Sequence, residues 1–261
     1  MSWHSSDSMP TLAIVSAMHE ELRALLPLLD EPKRLRLAGR DFHAGLMHGH
    51  PVVLALSGIG KVAAATTAAL LLHEIEVERI VFTGAAGGLD AGVRVGDVVV
   101  ARELLQHDMD ASPLFPRFEV PLTGRTRFPA DVPLSEGLRA AALHCLNHAP
   151  QRIGEAHLVD FGIDSPLLHE GLVISGDRFV ATAPESAALR RLLPDALAVE
   201  MEGAALAQVC ADFGAPFAVL RTISDRADDT AHVDFSRFIV EVASVYTREI
   251  VGLWLDGDAR V

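Results

Sequence analysis

The sequence predicts an α/β fold: one domain built as a three-layer sandwich, with a central mixed, mostly parallel, twisted sheet flanked by helices. Short apolar strand-like runs alternate with helical patterns along the chain, which is typical of proteins of this class. Half of the 261 residues are hydrophobic and no linker-like stretch divides them. We therefore expect one large core rather than two small ones.

Each predicted element follows from a local pattern. Short apolar runs bounded by turn residues predict strands at residues 11–16, 51–56, 79–83, 97–101, 171–175 and 216–223. Apolar residues at helical spacing predict helices at residues 20–29, 61–74, 133–147, 183–193, 200–213 and 235–255. A proline-rich segment, residues 106–132, is expected to be a long irregular excursion. Residues 1–10 are expected to form a disordered extension, so the domain spans residues 11–261.

Charge and cysteine content restrict the partners. The net charge is -13 and there is no run of Lys and Arg, which argues against nucleic acid and anionic membranes as partners. The apolar stretch at residues 62–72 is too short to span a bilayer. Cys145 and Cys210 are the only cysteines and lack a CxxC spacing, which favours a reduced, cytoplasmic setting. A small-molecule ligand is the favoured partner.

Several predicted strands end in small residues followed by a polar or charged group. These exits are SAMHEE (residues 16–21), TGAAGG (83–88), SGDRF (175–179) and SD (224–225). Two further acidic segments stand out, because VEMEG (199–203) opens an alanine-rich helix and RTISD (221–225) closes a buried strand. Ligands of open α/β sheets bind beyond the carboxyl ends of the strands. The sequence therefore predicts a site that contains several carboxylates.

Cofactor and metal motifs are weak by comparison. SGIGKVA (residues 57–63) loosely matches the dinucleotide pattern G-x-G-x-x-A, but it follows the second strand rather than the first. A P-loop is excluded, because Ala55 stands in place of the first glycine and Val62 follows the lysine. The histidines and aspartates lack the spacing of a zinc or calcium site. We predict no cofactor and no metal.

Six short motifs occur in the order of one known enzyme family. They are MHEE (18–21), SGIGKVAA (57–64), AGG (86–88) with VGDVV (95–99), SGD (175–177), VEME (199–202) and SD (224–225). Together they resemble the 5'-methylthioadenosine/S-adenosylhomocysteine nucleosidases of the nucleoside phosphorylase superfamily, from Leu12 to the last helix. The resemblance implies a homodimeric, cofactor-free hydrolase of methionine salvage, which releases adenine and a 5-thio-substituted ribose.

The resemblance also implies catalytic roles. Asp225 matches the general acid that protonates N7 of the purine. Glu21 matches the base that binds and deprotonates the attacking water, and Arg221 matches a residue that helps to position it. Glu202 matches the carboxylate that binds the ribose hydroxyls and opposes the developing cation. Glu200 receives no catalytic role and is expected to be structural.

Further residues are implied as substrate contacts. The ring of Phe179 is expected to stack on adenine, and the backbone of Val180 to contact the edge of the purine. The remaining expected contacts are Met18, Ile59, Ala85, Gly87, Met201, Ser224 and Phe235. Ala85 stands where many family members carry a serine, so a polar contact is missing there or is supplied by another group. The loop at residues 112–121 is expected to reach the site of the neighbouring subunit.

More than one activity is compatible with these residues. SPLFPRF (residues 112–118) differs from the commonest family pattern, so the substrate could be another purine nucleoside such as futalosine or 5'-deoxyadenosine. Glu20 and Glu21 would repel a phosphate dianion, which favours water over phosphate as the nucleophile. A phosphorylase nevertheless stays open, as do a nucleoside-binding protein that has lost catalysis and, more distantly, an NAD-dependent enzyme.

Overall fold

A single mixed sheet with helices on both faces organises the computed structural model, which describes residues 11–227 and 235–258. The expected N-terminal extension, residues 1–10, lies outside the described residues. The strands are β1 (Leu12–Ser16), β2 (Asp30–Leu37), β3 (Arg40–Met47), β4 (His50–Leu56), β5 (Arg79–Gly88), β6 (Val98–Gln106), β7 (Phe128–Pro129), β8 (Leu168–Ser175), β9 (Ala196–Glu200) and β10 (Phe217–Asp225).

The helices connect these strands and close the chain. They are α1 (His19–Leu25), α2 (Lys61–His73), α3 (Val132–Asn147), α4 (Glu155–Asp160), α5 (Ala183–Leu192), α6 (Gly203–Phe213), α7 (Phe235–Phe238) and α8 (Ser244–Asp258). A 3-10 turn, Leu26–Leu28, follows α1, and π-helical turns at Pro150–Gly154 and Ile239–Ala243 precede α4 and α8. None of the helices in the described ranges combines the length and the apolar character needed to cross a bilayer.

Every predicted strand and helix is present, with shifted ends. Several boundaries were wrong. β5 and β6 each extend five residues beyond their predicted ends at 83 and 101, and the helix predicted from Glu200 begins at Gly203, because Ala196–Glu200 forms strand β9. The hairpin of β2 and β3 was not predicted, since β2 lies at the edge of the sheet with mostly exposed, charged side chains. The expected irregular excursion is confirmed, with a single Val120–Arg125 bridge between β6 and β7.

Strand β5 pairs with three other strands of the sheet. It pairs in parallel with β1 and with β10, and its last residues pair antiparallel with β9. The order β10-β6-β8-β9-β5-β1-β4-β3-β2, with the additional β10–β5 pairing, closes the first five strands into a ring. The sheet is mixed, as predicted, although antiparallel pairings such as β6–β10 take a larger share than expected.

The core has two large halves, one on each face of the sheet, and a smaller third cluster around Ile174 and Val199. Helices α1, α3 and α8 cover one face, and α2 and α6 cover the other. Because side chains alternate along a strand, Val81 and Ala85 of β5 pack with the first half, whereas Phe82 and Ala86 pack with the second. The carboxyl ends of β1, β4, β5, β8, β9 and β10 supply or directly precede the residues around one pocket.

The VGDVV motif has a structural explanation. The buried carboxylate of Asp97 accepts hydrogen bonds from the backbone N–H of Leu167 at 2.7 Å and of Arg94 at 2.9 Å. Nε2 of His169 lies 2.8 Å from Oδ2 of Asp97, the oxygen that also accepts the N–H of Arg94. Asp97 therefore fastens β6 to the start of β8, and it does not line the pocket.

Candidate active site

The pocket brings together all ten residues that the sequence nominates for substrate binding, and the predicted general acid Asp225. It is lined by Ala17, Met18, Ile59, Ala85, Ala86, Gly87, Arg178, Phe179, Val180, Val199, Glu200, Met201, Glu202, Ser224, Asp225 and Phe235. Ala17, Ala86, Arg178, Val199 and Glu200 were not nominated, although each lies within two positions of a nominated residue. The strand-exit pattern alone would have found them. Contact of these residues with a substrate stays a prediction.

Apolar groups surround the mouth of the pocket. Phe179 is 46% exposed and Ile59 is 64% exposed. The rings of Phe179 and Phe235 meet edge to face, with centroids 6.2 Å apart. An exposed aromatic face in a pocket can stack on a flat heterocycle. The arrangement therefore suits a purine at this end of the pocket.

Glu202 is held by the turn between β4 and α2. Its Oε1 accepts the backbone N–H of Gly60 at 2.7 Å, and Gly60 has a φ of +92°, which favours glycine. Burial raises the pKa of Glu202 to about 7, and the negative charge of Glu200 adds to the rise. The N–H of Lys61 likewise donates to Asp177 at 2.7 Å. Since these amides bind protein carboxylates, the turn does not offer them to the phosphates of a dinucleotide.

Asp225 lies at the end of β10. One of its oxygens accepts the backbone N–H of Ala227 and the other accepts the hydroxyl of Ser224, both at 2.7 Å. A Cβ at Gly87 would come within 2.9 Å of Oδ1. Glycine at position 87 therefore leaves the room that this carboxyl group needs beside β5.

Glu21 is buried next to the pocket but does not line it. Its Oε2 accepts the backbone N–H of Met18 at 3.3 Å, and Met18 lines the pocket. Its Oε1 has no hydrogen-bond partner in the part of the chain that the structure describes. Burial raises the pKa of Glu21 to about 7, against the opposing effect of the positive Arg221. A buried carboxyl oxygen without a partner is suited to hold a water molecule.

Arg221 is buried and contacts the pocket residue Glu200. Its guanidinium is 1% exposed and does not line the pocket. It pairs with Glu200 at 2.8 Å, donates to the carbonyls of Phe82 and Leu220, and lies 4.1 Å from the centroid of the Phe82 ring. Within the described ranges no hydrogen bond joins it to Glu21. Arg221 therefore acts on Glu21 through its charge, and its expected role in positioning the water stays a prediction.

Glu200 is the structural residue that the sequence predicts, with more contacts than expected. Its carboxylate accepts the N–H of Gly203 at 2.8 and 3.0 Å, the N–H of Glu202 at 3.2 Å and the hydroxyl of Ser175. Together with Arg221, these contacts tie β8, β9, β10 and the start of α6 to one another. The backbone of Glu202 is thereby fixed by the residue two positions before it.

Comparison with known proteins places this geometry in a family. The family model described as "Phosphorylase superfamily" matches residues 11–252. The chain belongs to the phosphorylase superfamily. The predicted fold class is confirmed by this match and by the solved structures that resemble this superfamily member.

Solved 5'-methylthioadenosine/S-adenosylhomocysteine nucleosidases are similar to this superfamily member over nearly its whole length. The Neisseria meningitidis enzyme, in complex with methylthio-immucillin-A, is 32% identical with a TM-score of 0.83, and the match covers 95% of this chain and 100% of that one. The Colwellia psychrerythraea enzyme, in complex with adenine, is 33% identical with a TM-score of 0.81 and 95% coverage of both chains. The Streptococcus pneumoniae enzyme, with a transition-state inhibitor, is 32% identical with a TM-score of 0.80, covering 94% and 98%.

Because the pKa of Glu21 is raised, replacing Glu21 with glutamine should increase the free energy of unfolding, and the increase should depend on pH. In the folded chain the pKa of Glu21 is about 7, whereas its ordinary value is 4.5. Between these two pH values the folded chain holds a proton that the unfolded chain has lost. This contribution to stability is complete below about pH 4.5 and is lost as the pH rises through 7. At pH 8 Glu21→Gln should therefore be more stable than the wild-type superfamily member, by up to about 3 kcal/mol, and the difference should shrink towards pH 5.

Thermal unfolding across this pH range measures the effect. Glu20→Gln is the matched control, because Glu20 is on the same helical turn but is partly exposed. It should show no comparable widening of the gap with pH. The same pH dependence in both variants would contradict the assignment.

The buried pair of Arg221 and Glu200 predicts non-additive losses of stability. Arg221→Met leaves the buried Glu200 charge without its cation and should lower the free energy of unfolding by about 3–5 kcal/mol. Adding Glu200→Gln should recover part of that loss, which urea unfolding of both single variants and the double variant would measure. Arg237→Met, which removes two exposed ion pairs, with Asp160 and Glu241, should change little. Strictly additive effects at positions 221 and 200 would rule out the coupling.

Proposed function

We propose that this protein is a cofactor-free 5'-methylthioadenosine/S-adenosylhomocysteine nucleosidase, which hydrolyses the N-glycosidic bond to adenine and a 5-thio-substituted ribose. The observation that carries the proposal is the grouping of three buried carboxyl groups around one apolar pocket: Glu202 and Asp225 line it, and Glu21 is buried next to it. The similarity to solved nucleosidases over nearly the whole chain supports the same reaction.

Two of the carboxyl groups take part in proton transfer. Asp225 protonates N7 of the adenine, so that the bond from C1' to N9 breaks with its electron pair going to the base. Glu21 takes a proton from the attacking water as the oxygen bonds to C1'. Asp225 ends without its proton and Glu21 ends with one, and exchange with solvent restores both groups. The pKa of about 7 makes Glu21 an effective base near neutral pH.

Glu202 binds the sugar. Its carboxylate accepts hydrogen bonds from the ribose hydroxyls, and its negative charge stabilises the positive charge that develops on the ring. The N–H of Gly60 holds one of its oxygens at 2.7 Å, so the group is already oriented before substrate binds. Arg221 supports this arrangement indirectly, through its pair with Glu200.

The remaining pocket residues fix the base and the 5'-substituent. Phe179 stacks on adenine, and the backbone of Val180 contacts its edge. Gly87 presents its backbone to the substrate, and Ser224 holds Asp225. The apolar contacts to the ribose and the 5'-substituent come from Met18, Ile59, Ala85, Met201 and Phe235.

The charges around the pocket favour water over phosphate. Arg221 is already paired with Glu200. Arg178, the one cation among the described lining residues, pairs with Glu185, and its side chain is 77% exposed. A buried phosphate dianion would therefore meet the carboxyl groups without a buried cation of its own. Hydrolysis follows from this charge balance.

Adenine release in the absence of phosphate tests the proposal. Purified protein in phosphate-free buffer should release adenine from 5'-methylthioadenosine and from S-adenosylhomocysteine, as measured by chromatography. A strict requirement for phosphate would make the protein a phosphorylase. Release only from futalosine or 5'-deoxyadenosine would move the activity to another nucleoside.

A variant of the general acid separates catalysis from binding. Asp225→Asn should lose about 10²- to 10⁴-fold in kcat, whereas Asp212→Asn, an exposed substitution on α6, should not. A wild-type protein that binds the nucleoside without cleaving it would be a binding protein rather than an enzyme.

We also propose a homodimer in which the loop at residues 112–121 completes the pocket of the neighbouring subunit. Leu114 and Leu122, in and next to this loop, are 83% and 91% exposed, and such apolar side chains favour an interface. Light scattering should give twice the mass of 27.9 kDa, and a monomer at assay concentration would contradict the dimer.

A cytoplasmic location and a role in methionine salvage complete the proposal. Two buried free thiols, Cys145 and Cys210, support that location, which fluorescence microscopy of a tagged chain would check.

A further inference from the structure

Thr222, in strand β10, carries a hydroxyl that the described part of the chain leaves unsatisfied. The residue is 1% exposed, and its Oγ1 has no hydrogen-bond partner there. A buried hydroxyl without a partner is costly, and valine has the same shape without that cost. A threonine at this position therefore suggests a partner that does not belong to the protein.

The position of Thr222 places this hydroxyl beside the pocket. In the sheet, Thr222 is the register partner of Ala85 on β5, and Ala85 lines the pocket. A Cβ at Gly84 would lie 3.3 Å from Nη1 of Arg221, so these two residues share the opposite face. Because side chains alternate along both strands, Thr222 and Ala85 lie side by side. Ala85 offers no polar group there, whereas Thr222 does.

The same face of the sheet carries Glu21. Leu220, two residues before Thr222, packs in the half of the core that contains Leu22 and Leu25 of α1. Helix α1 follows directly from β1, which pairs with β5. Glu21 Oε1 and Thr222 Oγ1 are the buried, unpartnered oxygens that α1, β5 and β10 contribute in the described ranges. Both belong to the same end of the sheet, next to the pocket residues Met18 and Ala85.

We propose that Thr222 is a further catalytic residue, whose hydroxyl holds the attacking water together with Oε1 of Glu21. This inference rests on the proposed function. The water donates one hydrogen to each oxygen, which leaves a lone pair directed at C1'. As the oxygen bonds to C1', the bond to N9 breaks, adenine takes the proton of Asp225 and Glu21 takes the proton of the water. Thr222 exchanges no proton, and it contributes orientation.

Two hydroxyl-free variants and one hydroxyl-bearing variant test the role. Thr222→Val should lower kcat for adenine release at least tenfold while KM changes less than threefold, and Thr222→Ala should do the same. Thr222→Ser keeps the hydroxyl and should stay within about threefold of the wild type. Thermal unfolding should find Thr222→Val at least as stable as the wild type, because an unsatisfied polar group has been removed.

Competition between nucleophiles gives a readout that a packing role would not change. Water has two hydrogens for the two oxygens, whereas methanol has one. In water–methanol mixtures the wild type should form mostly the free sugar, and Thr222→Val should raise the ratio of methyl glycoside to free sugar. Ser135→Ala removes another buried, unpartnered hydroxyl. It lies in the first turn of α3, whose N-cap residue Asp131 bonds to Phe217 at the far end of β10. This control should change neither kcat nor the ratio.

The outcomes separate this inference from the proposed function. A wild type that releases no adenine overturns both. If the wild type is active but Thr222→Val stays within twofold of its kcat and forms the same product ratio, only the inference is overturned. Equal losses in Thr222→Ser and Thr222→Val would likewise overturn it, because the loss would then follow the shape of the side chain and not its hydroxyl.

Discussion

The ion pair of Glu200 and Arg221 is the interaction on which the site depends. It is buried between β9 and β10, and Glu200 also binds the first amides of α6. The pair acts on the two neighbouring carboxyl groups in opposite directions. Burial is the main cause of the raised pKa of both groups; the negative Glu200 adds to the rise at Glu202, and the positive Arg221 opposes it at Glu21. A contact outside the proposed chemistry thus adjusts the pKa of two groups on which that chemistry depends.

The sequence predicts the fold class and the edge of the sheet where the site lies, because apolar runs and strand exits are local patterns. It does not predict strand β9, since Ala196–Glu200 is short and directly precedes a helix of similar composition. The sequence also does not predict that Arg221 pairs with Glu200. That partner depends on how β8, β9 and β10 meet across a closed ring, and no spacing along the chain encodes it.

The unsatisfied groups of the site are a further part of the structure that patterns cannot predict. Thr222 is typical of a strand, and Glu21 is typical of the first turn of a helix. Only the three-dimensional arrangement shows that one oxygen of each is buried without a partner in the described part of the chain. Both residues fit the secondary structure in which they occur, and yet each has a buried oxygen without a hydrogen-bond partner in that part of the chain. Departures of this kind are expected at functional sites.

The closed ring of β5, β9, β8, β6 and β10 bears on the cooperativity of unfolding. Inside a ring each strand has neighbours on both sides, so removing one strand breaks two sets of backbone hydrogen bonds. Among the described strands β2 pairs with β3 alone, so it can separate by itself. Amide hydrogens of β5 and β10 should therefore exchange with solvent only when the whole domain opens, while those of β2 exchange through local fraying. The carboxyl groups of Glu202 and Asp225 are attached to the part of the chain that opens last, which keeps their geometry intact through the fluctuations that the edge of the sheet undergoes.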